Sequence, residues 1–146
     1  MPSVIVVDDH AVIRRGVQGI LSPFPEWELC GEAENGQDAI KLAETLKPEI
    51  IIMDVSMPVL NGLEATRIIH NILPGTKILL LTLHSSTELV RSAFRAGARG
   101  YVLKSDAEHE LVRALNVLIG DGTYVSPGID QHLAQRAILE EAHATN

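Results

Sequence analysis

The run Glu49-Ile50-Ile51-Ile52-Met53-Asp54 limits the possible folds of this chain more than any other stretch. It is apolar, rich in β-branched residues, without helical period, and it ends on a carboxylate. Such a run is too short to span a membrane and reads as a strand buried on both faces. Pro48 precedes it, and Val55 to Gly62 follows as an irregular loop. Asp54 is therefore expected at the carboxyl end of a central strand, the edge where open α/β sheets bind their ligands.

The remainder of the chain alternates strand and helix around that run. Ser3 to Val7 is a β-branched strand running into Asp8-Asp9. A helix follows with Ile13, Val17, Ile20 and Leu21 on one face, stopped by Ser22-Pro23-Phe24-Pro25. Trp27 to Ala33 reads as a weaker edge strand, and Asn35 caps a helix facing inward with Ala39, Leu42, Ala43 and Leu46. After the central strand, Asn61 with Glu64 forms a capping box opening a third helix with Ala65, Ile68, Ile69 and Ile72. Pro74-Gly75 turns into the apolar strand Lys77 to Thr82. Ser85 with Glu88 is a second expected capping box, opening a helix with Val90, Ala93, Phe94 and Gly97. Gly100 to Leu103 is a short strand ending at Lys104, and Ser105 with Glu108 is expected to cap a last helix with Leu111, Leu115 and Leu118, ending at Gly120.

Strands alternating with helices imply a doubly wound parallel sheet with helices on both faces. In such a sheet all strand carboxyl ends lie along one edge. That edge collects Asp8, Asp9, Asp54, Thr82 and Lys104, each at or just beyond the end of its strand. Any one of them has an ordinary explanation, as a helix cap, a loop residue or a solvated cation. Their joint register does not.

Three carboxylates beside one lysine repel one another, so a cation is expected among them. A small all-oxygen site suits Mg²⁺, which binds one or two carboxylates and keeps several waters. An aspartate beside such an ion and a lysine is arranged to attack a phosphoryl group, with charge neutralisation and positioning supplying the catalysis. Aspartyl phosphate is an established product of carboxylate nucleophiles. Thr82 is placed to donate a hydrogen bond to an incoming phosphoryl oxygen.

With these residues in view, the chain resembles the receiver domain of bacterial two-component response regulators. The resemblance covers about Ser3 to Gly120. It rests on Val-Val-Asp8-Asp9-His10, Met53-Asp54-Val-Ser-Met-Pro58-x-x-Asn61-Gly62, Leu81-Thr82 and Tyr101-Val-Leu-Lys104, in that order and spacing. It implies a flavodoxin-like (βα)5 fold with strand order 2-1-3-4-5, in which strands one and three lie side by side at the switch point. It further implies that Asp54 accepts a phosphoryl group from the phosphohistidine of a sensor histidine kinase. Asp9 would be a direct Mg²⁺ ligand, Asp8 would act through water, and Asp54 and the Ser56 carbonyl would complete the metal site. Lys104 would pair with the acids and then with the phosphoryl group, and Thr82 with Tyr101 would be the switch pair. The protein would catalyse only its own phosphorylation and dephosphorylation.

One departure from the commonest pattern is Ser105 where many receivers have proline after the lysine, often in a cis peptide. A cis bond before a non-proline residue costs about 2.5–4 kcal/mol. The Tyr-Val-Leu-Lys-Ser pattern, with Gly120-Asp-Gly-Thr-Tyr-Val-Ser-Pro127 beyond the last helix, resembles the subfamily carrying a LuxR-type helix-turn-helix output domain. Residues 1–120 are thus expected to be the receiver and 121–146 a linker toward a DNA-binding domain absent from this chain, with Ile129 to Ala142 a weakly amphipathic segment. The alternative is a single-domain response regulator acting through protein partners.

Composition sets the remaining bounds. The 146 residues suffice for one domain with a buried core. Apolar residues make up 46% and aromatics 3%, so the core must come from Val, Ile, Leu and Ala. A net charge of −7 argues against direct contact of this portion with nucleic acid, which needs a basic face. Self-association on phosphorylation is compatible with these bounds. Cys30 is the single cysteine, so neither a disulfide framework nor a cysteine zinc site is available, and it is expected to pack. Met1-Pro2-Ser3 has no signal-peptide character, and no apolar run approaches the ~18 residues of a membrane span, so a soluble cytoplasmic protein is expected. Trp27 is expected at the rim of the domain, and His10 and His84 as solvated rim residues of the site. A dehalogenase-type phosphohydrolase would need a second aspartate where Ser56 stands. A dinucleotide-binding module would need glycines where Asp8-Asp9-His10 stands, and acids there repel phosphate.

Overall fold

The computed structural model describes residues 2–129, 131, 132, 135, 136, 138 and 139. Strands β1 (Ser3–Val7), β2 (Glu28–Ala33), β3 (Ile50–Met53), β4 (Lys77–Thr82) and β5 (Gly100–Leu103) alternate with helices α1 (Ala11–Leu21), α2 (Gly36–Leu46), α3 (Gly62–Ile72), α4 (Thr87–Ala96) and α5 (Ala107–Ile119). A two-residue strand, β6 (Tyr124–Val125), comes last. All pairings are parallel, in the order 2-1-3-4-5-6, so the expected doubly wound sheet is present with a sixth strand added beside β5.

Strand side chains alternate between two cores, as the pleat requires. Val4, Val6, Ile50, Ile52, Leu79, Leu81 and Val102 pack with Val17 and Leu21 of α1 and Leu111, Leu115 and Leu118 of α5. Ile5, Val7, Ile51, Met53, Leu80 and Tyr101 face α2, α3 and α4, meeting Ala39, Ala43, Ala65, Ile69, Val90, Ala93 and Phe94. Small alanines on α2 let that helix lie close to the sheet. The outermost residues of the expected stripes, Leu46 and Ile72, are exposed instead.

Helix starts follow the sequence in part. Asn35 and Asn61 accept from the main-chain N–H groups of Asp38 and Glu64, at 2.8 and 2.9 Å. The cap of α4 is Ser86, not Ser85: its hydroxyl accepts from Leu89 N–H at 3.3 Å. Ser105 does not cap α5. Lys104–Asp106 forms a 3₁₀ turn, and α5 begins at Ala107 without a side-chain cap. The peptide bond between Lys104 and Ser105 is trans, like every other among the described residues.

One further expectation is corrected by packing. Trp27 is only 6% exposed and belongs to the core under α1 and α5 rather than to the rim. Beyond α5 the chain returns to the sheet: Ser126 N–H donates to Tyr101 O at 2.9 Å, and Val125 and Ile129 are buried. The expected segment from Ile129 to Ala142 lies partly outside the described residues; 131, 132, 135, 136, 138 and 139 are helical.

Candidate functional site

The β1–β3 register pairs Val7 with Met53, so Asp8 and Asp54 leave adjacent strands at the same level. Hydrogen bonds hold both exits: Asp54 N–H donates to Val7 O at 2.9 Å, and Asp8 N–H to Ala33 O at 3.1 Å. On the far side, β4 and β5 pair Thr82 with Leu103, which brings Lys104 to the same edge. The topology therefore delivers the five expected residues to one crevice.

Contacts join three of them. Lys104 Nζ lies 2.9 Å from Asp8 Oδ2 and 3.3 Å from Asp54 Oδ2. Asp8 and Asp54 are buried, at 2% and 5% exposure, while Asp9 stands at the mouth. Burial pushes the Asp54 carboxyl above its usual range, and the charge of Asp8 adds to this; Lys104 only partly offsets it. For Lys104, burial disfavours the ammonium. Its bond to Asp8 and the charges of Asp54 and Asp8 outweigh that, holding its pKa above the ordinary lysine value.

Single ligand atoms from Asp8, Asp9, His10 and Asp54 lie within 4.8 Å of one another. Three carboxylates left short of positive charge by one lysine fit a hard divalent cation. His10 is exposed at the rim, as expected, and its Nδ1 lies 3.1 Å from Asp8 Oδ1 and 3.2 Å from Asp9 Oδ1. Its main-chain N–H also donates to Asp8 Oδ1, at 2.9 Å.

Thr82, Tyr101 and Ser56 meet at His84. Thr82 Oγ1 accepts from His84 N–H at 3.2 Å, and the Tyr101 hydroxyl donates to His84 O at 2.8 Å. Ser56 Oγ lies 3.2 Å from His84 Nε2. Thr82 and Tyr101 are fully buried, so the Tyr101 ring is already turned into the molecule. The loop after β3 closes tightly under the site. A Cβ at Gly62 would meet Asp54 O at 2.0 Å, so only glycine lets α3 start there.

One residue of this region was not anticipated. Arg14, on α1, donates to Asp8 O at 2.6 Å and to Glu32 Oε1 at 3.1 Å. Its sequence signal was slight: an arginine one turn after His10, with two acids ending the neighbouring strand.

A fold of this topology with an acid pair, a strand-end aspartate and a lysine has the features of a receiver domain, and comparison agrees. A family profile described as response regulator receiver domain matches residues 4–116, and the chain belongs to that family. Its relatives include response regulator GacA of Pseudomonas aeruginosa, 36% identical over 143 residues, covering 98% of this chain and 67% of the relative. Transcriptional regulatory protein DegU of Brevibacillus brevis is 36% identical over 130 residues, 89% of this chain and 55% of the relative. The chain thus spans between about half and two thirds of the length of these relatives. Among solved structures, a LuxR-family two-component response regulator from Aurantimonas sp. SI85-9A1 superposes with a TM-score of 0.86 at 33% identity, over 93% of this chain and 97% of that one. No described helix is long and apolar enough to cross a membrane.

Proposed function

We propose that Asp54 is the phosphoacceptor of this receiver and that Asp8, Asp9, Asp54 and the Ser56 carbonyl hold Mg²⁺. The observation that carries this reading is the buried contact of Lys104 with both Asp8 and Asp54, at the crevice where the acids converge. An Asp54 carboxylate oxygen attacks the phosphorus of a phosphohistidine on a sensor histidine kinase. The new O–P bond forms as the N–P bond breaks, and the imidazole leaves with the electron pair of that bond. Lys104 meets the charge on the phosphoryl oxygens, and Thr82 donates to one of them. Bound Mg²⁺ would supply the remaining charge neutralisation. Hydrolysis of the acyl phosphate returns Asp54, so turnover is confined to the protein's own side chain.

Thr82 and Tyr101 act as the switch pair through their shared partner His84, and Ser56 beside His84 screens water from the acyl phosphate. Residues 121–146 lead toward a LuxR-type DNA-binding domain, in line with relatives that extend well past the length of this chain. The output is then transcriptional, with phosphorylation favouring a homodimer, in the cytoplasm. Incubation with acetyl phosphate tests the central step: one phosphoryl group should be gained with Mg²⁺ and none with EDTA. Equal gain in EDTA would refute the metal assignment.

A further inference from the structure

We propose that Arg14 is the positioning residue of the acidic pocket, fixing the Asp8–Asp9 peptide so that both carboxylates are presented to a divalent cation. The inference rests on the phosphoacceptor reading, because it concerns the same pocket.

Arg14 sits one helical turn into α1, its N–H bonded to His10 O at 3.2 Å. Its side chain is 14% exposed although charged. The guanidinium is satisfied on three sides: Asp8 O at 2.6 Å, Glu32 Oε1 at 3.1 Å, and Glu34 Oε1 at 3.6 Å. Glu32 belongs to β2 and pairs in register with Val6, next to the strand exit that Asp8 takes. Acids from the neighbouring strand therefore aim the planar fork at one main-chain carbonyl.

That carbonyl belongs to the peptide linking Asp8 to Asp9. Because the peptide is planar, fixing its oxygen fixes the direction in which the chain enters Asp9. Asp8 is then held at four atoms: N–H by Ala33 O, Oδ1 by His10 N–H, Oδ2 by Lys104, and its carbonyl by Arg14. A lysine at position 14 would keep the charge but could not span these acceptors in a fixed fork.

Charge and positioning make opposite demands. As a cation near an acidic pocket, Arg14 opposes binding of a second cation, so its removal should tighten Mg²⁺. As a clamp, its removal should weaken Mg²⁺, and loss of a ligand's supporting partner typically costs on the order of ten-fold or more in metal affinity. The test is calorimetric titration of the metal-free chain with Mg²⁺, for the parent, Arg14→Met (which keeps the aliphatic stem) and Arg14→Lys. The dissociation constant should rise about ten-fold in both variants, and amide exchange at Asp9 and His10 should quicken without metal. Should Arg14→Met not fold, Arg14→Lys alone decides. A variant that folds and binds Mg²⁺ as tightly as the parent, or more tightly, overturns this inference alone. A parent that binds no Mg²⁺ overturns both the inference and the reading beneath it.

Discussion

The Tyr101 hydroxyl donates to the main-chain carbonyl of His84 at 2.8 Å, while the N–H of His84 donates back to Thr82 Oγ1 at 3.2 Å. One residue of the β4–α4 loop thus ties the ends of two neighbouring strands together. Any pull on Thr82 by a phosphoryl group must act on the Tyr101 bond through this single peptide neighbourhood. A local change of charge is the kind of event that can bias such a linkage.

Tyr101→Phe keeps the ring and removes the tie. It should cost about 0.5–1.5 kcal/mol, the net worth of one hydrogen bond, in denaturant unfolding. It should also speed amide exchange from His84 to Ser86. Unchanged exchange in that loop would show that Tyr101 does not restrain it.

The raised pKa of Asp54 sets a pH dependence. A carboxyl whose folded pKa lies above its unfolded value binds protons better when folded, so stability falls as pH rises through that window. Above that window the Asp54 carboxylate therefore burdens the metal-free fold. Asp54→Asn should be more stable than the parent at pH 7 without metal, and the advantage should vanish as pH falls toward the ordinary carboxylate value. Urea unfolding at several pH values checks this; an advantage independent of pH would point to packing instead.

Asp9 stands at the mouth of the pocket rather than within it, so its removal should leave the fold intact. Asp9→Ala should weaken Mg²⁺ binding by ten-fold or more, by analogy with the loss of a charged ligand, and slow phosphorylation. Its metal-free melting temperature should equal or exceed that of the parent, because one repelling charge is gone. The stabilisation that Mg²⁺ confers on the parent by mass action should shrink accordingly.

Side chains anchor strand β6 at both of its ends. Tyr124 OH donates to Glu110 Oε2 at 2.5 Å, and the Ser126 hydroxyl donates to Asp106 in the turn after Lys104. Ser126→Ala should cost about 1–3 kcal/mol, since a fully buried hydroxyl and its charged partner lose each other. Burial, and then the bond to Glu110, push the Tyr124 hydroxyl up to about 12. Its contribution to stability is complete below pH 10, the unfolded value, and is lost as pH rises through 12. Tyr124→Phe should remove that part of the alkaline decline in stability.

Much of this was legible in the sequence because it depends on local pattern. The continuous run Ile50 to Met53 can be satisfied only by burial on both sheet faces, and the parallel topology then places Asp54, Thr82 and Lys104 at one edge. What was hidden depends on partners distant in sequence. Tyr124 and Val125 become a strand only because β5 offers an unpaired edge, and two residues carry no period to read. Ser85 and Ser86 both satisfy the chemistry of a cap; the path of the loop through His84 selects the second. Arg14 could pass for a solvated helix cation until β2 sets Glu32 beside it. Trp27, just before β2, joins the core that Val4 of β1 forms with Val17 and Leu21 of α1.

The central claim is that Asp54 is the residue phosphorylated, and peptide mapping tests it most directly. The protein is incubated with Mg²⁺ and acetyl phosphate, the acyl phosphate is trapped by borohydride reduction, and the labelled peptide is sequenced by mass for the parent and for Asp54→Asn. The label should fall on Asp54 in the parent and be lost in the variant. Label on another residue of the parent, or undiminished label in Asp54→Asn, would contradict the account.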